Sequence, residues 1–375
     1  MLKTAIKFLL YDKAKSFGAL LGVVISTFLI GQQIGVFTFL TNAMKALAEM
    51  NPQYIWVIDS QTENVNALGR LDMRIARQIG AFPGVESVYP VFISGALVQF
   101  PDGENSGIQL IGIEAPGFVG GPKTTDFIDG GFIDLLPDGA VAVDFFDKRI
   151  FRSTEPGTTF EINKRKVYIG ARTKGVRGFG ASYVFTTIER ARALTNASNN
   201  ATSAFLVKVL PGMTQDEMVK TINGNVFGVR AWKGEELAST TVAIILKTTS
   251  IATSVGTLVI FALIAGFFIV GLTLYSAAVD RLKDYGTMKA IGATNGYIRK
   301  LIYTQATMFA VFGFGIGYLL MDAFRKGISS TGLFFSYSPQ FLLVFFFVIL
   351  AIALGGASFA VRKIARLEPA EVFRF

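Results

Sequence analysis

Neither cysteine nor histidine occurs among the 375 residues of this chain. Without thiols there can be no disulfide and no thiolate-bound metal. Without imidazole the usual zinc, copper and haem ligand sets are out of reach, and so is any Ser–His or Cys–His nucleophilic pair. Charge is also scarce: Asp, Glu, Lys and Arg make up 17% of the chain, against 51% hydrophobic residues. There is no Gly-x4-Gly-Lys-Ser/Thr sequence, which excludes a P-loop, and no Gly-x-Ser-x-Gly or His-Glu-x-x-His. The pairs Asp126/Asp129 and Asp144/Asp147 read as solvated turn residues, not as an acid–base couple.

What the chain has instead is long apolar blocks, giving a mean hydropathy of +0.48. A bilayer core roughly 30 Å thick needs about 20 apolar helical residues, and four stretches supply them. The first transmembrane helix is assigned to residues 16–44 and the second to 248–279, uncharged throughout. The third is assigned to 301–321. The fourth, 339–361, starts where Ser338-Pro339 has the form of an N-cap followed by proline at the first helical position. Ala46-Leu47-Ala48 resembles a signal-peptide cleavage site, but the apolar run before it is about twice the usual length for one, so the first helix is expected to stay as an anchor.

Charge sets the sidedness. The segment 1–15, an amphipathic stretch, carries +3, the loop 280–300 carries +3, and the tail 362–375 carries +2. The short loop 322–338 carries +1, and residues 41–248 balance to zero. By the positive-inside rule both termini and the 280–300 loop are cytoplasmic, and 45–247 lies outside. A pI near 9.6 therefore reports topology, and no nucleic-acid surface is needed to explain it.

Residues 45–247 read as an α+β domain. Strand-like Tyr54–Asp59, helix-like Leu71–Ala81 and strand-like Ser87–Phe100 form one β-α-β unit. Ala204–Val209, a helix over Thr214–Ile222 with Thr214 and Glu217 as a capping box, and Val226–Trp232 form the other. A β-rich lobe, about 101–200, is inserted between them, with Pro101-Asp102-Gly103 and Pro137-Asp138-Gly139 marking hairpins. The basic run Lys164-Arg165-Lys166, with Arg172, Lys174 and Arg177 beyond it, reads as a solvated hairpin tip.

Within the spans, Gly18-x3-Gly22, Gly31-x3-Gly35 and Gly313-x3-Gly317 give small faces that let helices approach closely, within the chain or across a dimer. Gln32, Gln33 and Gln305 each need a hydrogen-bond partner in lipid. No charge sits mid-span, which argues against coupling through intramembrane carboxylates. The second span is too long for the bilayer, so its helix is expected to continue beyond it to about Ile291. Gly292 then ends it, and Thr294 or Asn295 caps the next helix.

That connector carries the functional signal. Arg281-x2-Asp284-Tyr285-Gly286-x2-Lys289-Ala290-Ile291-Gly292-Ala293 resembles the signature of the FtsX/MacB-type permeases, the type VII ABC transporters, although Asp284 stands where many members have Glu. The likeness extends to Gln305-Ala306, to Gly313 and Gly317, to the amino end from Ala5, and to Leu367-Glu-Pro-Ala-Glu-Val-Phe-Arg374. The wording through Thr294 and Asn295 is similar to the DevC-like branch, whose members work with a membrane-fusion adaptor. The resemblance implies the permease subunit of an exporter in the bacterial inner membrane, acting as a homodimer in membrane lipid and with no catalytic residue or metal of its own. ATP and Mg would belong to a separate cytoplasmic ATPase. Arg281, Asp284, Tyr285, Gly286, Lys289, Ala290, Ile291, Gly292, Ala293, Thr294 and Asn295 would then form the ATPase contact. Two other readings stay open: a force-transmitting regulator of an enzyme outside the membrane, and a membrane sensor.

Overall fold

The computed structural model describes residues 13–365, which divide into two compact units. The segment 1–12 and the tail motif from Leu367 lie outside the described residues.

One unit is built from the long apolar helices. These are α1 (Lys13–Glu49, its first part), α7 (Ile251–Val279), α9 (Asn295–Ser329) and α10 (Pro339–Ala365), with a short helix α8 (Leu282–Ala290) between α7 and α9. All four long helices are long and apolar enough to cross a membrane. A helix of a soluble bundle buries an apolar stripe and turns polar residues outward. Here Val23, Val270, Ala306 and Phe345 fill the interior, while Phe261, Phe268, Leu319 and Leu343 face outward. The surroundings these helices are built for are therefore apolar as well. Ser338 begins α10 as expected, its Oγ accepting the Phe341 N–H at 3.1 Å.

Glycines set the spacing of the helices. A Cβ on Gly313 would fall 2.6 Å from Val23 and one on Gly317 would fall 2.7 Å from Thr27, so α9 rides directly on α1. Gly22 faces Ile269 and Thr273 of α7, Gly31 faces Met321, and Gly35 faces Phe335 and Tyr337. Nothing lies within 4 Å of a Cβ at Gly18 among the described residues. One crossing that brings backbone against backbone was not visible as a GxxxG spacing: a Cβ on Gly356 of α10 would lie 2.6 Å from the Gly271 Cα of α7.

The other unit, residues 39–250, is an α/β domain. Its first part combines β1 (Ile55–Asp59), α2 (Arg74–Gly80), β3 (Val85–Gln99), β11 (Ala204–Val209), α5 (Gln215–Asn225) and β12 (Val229–Lys233). The strands lie in the order β12-β1-β11-β3, each antiparallel to its neighbour, so each β-α-β unit is split by a strand of the other. Continuous apolar runs explain why this sheet is covered on both faces. Ile55 and Val57 join Phe205, Met218 and Ile222 on one face, while Trp56 and Ile58 join Leu206, Leu47 and Leu237 on the other. Trp56 stands opposite Trp232 in the β1–β12 pairing. Thr214 and Glu217 form the expected capping box at α5. The helix expected over Leu71–Ala81 is shorter, because Leu71–Asp72 forms a small strand, β2, against β10 (Ala201–Thr202).

The inserted segment extends the same sheet. The 15-residue β3 continues past β11 and pairs over its far half with β4 (Asn105–Ile113), and beyond β4 lie β9 (Ser182–Thr187), β6 (Ala140–Asp144) and β8 (Arg165–Thr173). β5 (Phe127–Asp129) pairs with the edge of β8, and β7 (Thr159–Ile162) joins β8 through the Asn163-Lys164 turn, both of whose residues have positive φ. The remaining helices are α3 (Lys148–Phe151), α4 (Ile188–Leu194) and α6 (Gly234–Thr248).

Two readings of side chains are corrected here. Asp144 and Asp147 are buried, not solvated: Asp144 accepts the N–H groups of Phe146 and Val176 at 3.1 and 2.8 Å, and Asp147 pairs with Arg177 at 2.9 Å. Arg172 leaves the basic run as well, binding Asp129 and Glu155, so only residues 164–166 remain at the hairpin tip.

Candidate coupling site

The helix of α7 does not run on to Ile291. It stops at Val279, the chain turns through Asp280 and Arg281, and α8 starts afresh at Leu282. No proline or glycine marks this break. It coincides with the burial of Arg281, at 8% exposure, and Tyr285, at 1%, the latter reaching Gln305 of α9 with its hydroxyl donating to Oε1 at 3.5 Å. Gln305 thus finds an interhelical partner through Tyr285.

α8 has an inner and an outer face. Arg281, Tyr285, Met288 and Lys289 turn toward the unit, while Asp284, Thr287, Ala290 and Ile291 face out, three or four residues apart along one stripe. Gly286 is buried beside Tyr285. Ile291, at 82% exposure, stands at the tip. Lys289 is not a free charge: its Nζ donates to the Ile364 carbonyl of α10 at 2.9 Å, where a cation meets the negative end of a helix. That bond holds α8 to α10.

The corner after α8 is a Schellman turn. Gly292 has φ of +104°, its N–H donates to Lys289 O at 3.0 Å, and the Ala293 N–H donates to Met288 O at 2.9 Å. Thr294 then caps α9, its hydroxyl accepting the Tyr297 N–H at 3.2 Å, and Asn295 opens the helix. The sequence placed both the glycine and the cap correctly. Open space surrounds the Gly292 Cα, so only its backbone conformation demands glycine. The sequence-predicted residues therefore divide in two. Asp284, Ala290, Ile291, Gly292, Thr294 and Asn295 are exposed on the corner, while Arg281, Tyr285, Gly286 and Lys289 hold it in place and Ala293 is half-buried.

Residues 256–369, which include this corner, match the family model of the FtsX-like permease C-terminal domain. No curated protein matches the chain. Among solved structures, similarity is found to the periplasmic region of MacB from Actinobacillus actinomycetemcomitans, at 12% identity over 51% of this chain and 93% of that one, with a TM-score of 0.38. It is also found to the extracellular domain of the noncanonic ABC-type transporter YknZ from Gram-positive bacteria, at 16% identity over 48% of this chain and 98% of that one, with a TM-score of 0.35. Residues 256–369 thus resemble the C-terminal domain of FtsX-like permeases, in a unit whose four long helices are apolar enough to cross a membrane.

Proposed function

We propose that the chain is the permease subunit of an ATP-driven exporter and that the α8–Gly292–α9 corner is where a separate ATPase docks. The observation that carries this reading is the exposed stripe of α8. An aliphatic tip, Ile291, and an acidic flank, Asp284, stand out from a corner whose inner side is held by Tyr285, Lys289 and the Gly292 turn. A rigid corner joined to a membrane helix passes on a push without absorbing it. The partner ATPase holds ATP and magnesium, since this chain has no phosphate-binding loop.

In this reading two copies of the chain face each other in the cytoplasmic membrane, with both termini and the corner on the cytoplasmic side. The α/β domain lies outside, moves when the helices are driven together, and works with a membrane-fusion adaptor.

The test is capture of the co-expressed ATPase by tagged permease, beside membrane level and export rate. Asp284→Lys reverses an exposed charge, and Ile291→Asp places a charge at the apolar tip. A purely structural role for these exposed positions predicts losses within about 0.5 kcal/mol. At a docking surface we expect normal insertion with at least about tenfold weaker capture or export. If both variants bind the ATPase and export as wild type does, the reading fails.

A further inference from the structure

Beside the corner, on the same end of the helical unit, α9 and α10 leave a cleft of about 340 Å³. Its floor is apolar, made by Ile298 and Ile302 of α9 and Val361 and Ile364 of α10. Two arginines line it, Arg299 from α9 and Arg362 from α10. Both are exposed, and neither pairs with a carboxylate among the described residues. This volume lies in the range of small-molecule sites, which combine an apolar lining with a few convergent polar groups.

The two arginines flank the ends of two apolar runs. Arg299 comes two residues before the apolar run that begins at Leu301, and Arg362 comes one residue after the run that ends at Val361. The cleft therefore sits where hydrocarbon gives way to headgroups, with Ile302 and Val361 on the hydrocarbon side of the two arginines and Ile298 and Ile364 on the other. A ligand for it must be anionic at one end and apolar at the other, and must be present at that depth. We infer that the cleft holds the phosphate headgroup of an anionic membrane phospholipid, with Arg299 and Arg362 on the phosphate and the glycerol and first methylenes over Ile302 and Val361. Guanidinium matches phosphate geometry through paired N–H donors, and its attraction is strengthened at an interface that excludes water. This inference goes beyond the docking reading and does not depend on which side of the membrane the corner faces.

The experiment uses the full chain in nanodiscs of phosphatidylcholine doped with phosphatidylglycerol, with retained lipid counted by native mass spectrometry after transfer to detergent. Wild type should keep phosphatidylglycerol in preference to phosphatidylcholine. The double variant Arg299→Gln/Arg362→Gln should lose that preference by roughly thirtyfold, from the usual contribution of two basic side chains near an anionic surface. Arg299→Lys/Arg362→Lys should keep part of it, since charge survives while the paired geometry does not. Should the double glutamine variant fail to accumulate, the two single variants are read in its place, each with roughly fivefold loss. Equal retention by wild type and the glutamine variants overturns the inference. So does unchanged lipid together with lost ATPase capture, which would make the cleft a protein-docking surface.

Discussion

Asp144 illustrates how far burial can depart from what a sequence suggests. In the sequence it reads as a solvated turn residue, yet it ends β6 with β8 and β9 alongside, and its carboxylate takes the N–H groups of Phe146 and Val176. No local pattern carries that information, because the covering strands come from 20 or more residues away. Burial pushes the carboxyls of both Asp144 and Asp147 above their ordinary value of 3.8, with Arg177 and the hydrogen bonds pulling the other way. Between that value and the raised one, the folded domain binds protons that the unfolded chain does not. These two groups therefore favour folding more as pH falls into that window and less as pH rises through it. In Asp144→Asn that contribution is gone. The stability of wild type relative to this variant should grow as pH is lowered through the raised value toward the ordinary 3.8, measured as the difference in thermal midpoint by circular dichroism. Asp144→Ala should be worse at every pH, because two buried N–H groups lose their acceptor at about 1–3 kcal/mol each. An alanine variant that melts with wild type would show that water replaces the carboxylate.

The helices were the most legible elements, and the reason is length. A run of twenty apolar residues admits few alternatives, so Ser338-Pro339 and the Gly292–Thr294 turn could be placed to the residue. The break at Asp280 was not legible, since tertiary packing of Tyr285 on α9 decides it and no helix-breaking residue announces it. Lys289 was legible only in part for a related reason: its spacing marks a signature, but its Nζ bonds a carbonyl 75 residues away. Lys289→Met keeps the aliphatic stem and removes the charged donor. We expect it to weaken the hold of α8 on α10 by about 1.5–3 kcal/mol, read as faster hydrogen exchange across 282–290 with the spans unchanged. Gly292→Ala tests the turn by itself. Open space around the Cα leaves only the left-handed backbone to oppose a methyl group, so the penalty should be about 1 kcal/mol, and larger for valine. If Gly292→Ala and Gly292→Val both show wild-type exchange, the corner does not need its turn.

For the molecule as a whole, the division into two units was readable because their compositions differ so sharply: apolar blocks in one, balanced charge with turn residues in the other. The cysteine-free background makes sidedness directly measurable. Ser198 and Lys363 are exposed on the α/β domain and at the end of α10 respectively. In intact cells an impermeant thiol reagent should label Ser198→Cys and spare Lys363→Cys, and the opposite pattern would invert the charge argument.

The two tryptophans of the chain, Trp56 and Trp232, face each other across β1 and β12, and the helical unit has none. The protein therefore carries an intrinsic optical gauge confined to one of its two halves. In the proposed complex nucleotide would act on a partner chain, and this subunit's indoles lie only in the α/β domain. With an ATPase partner from which tryptophan has been removed, any nucleotide-dependent change in emission would be a mechanical signal that had travelled through the dark helical unit. Its delay after mixing would time that passage without a single label.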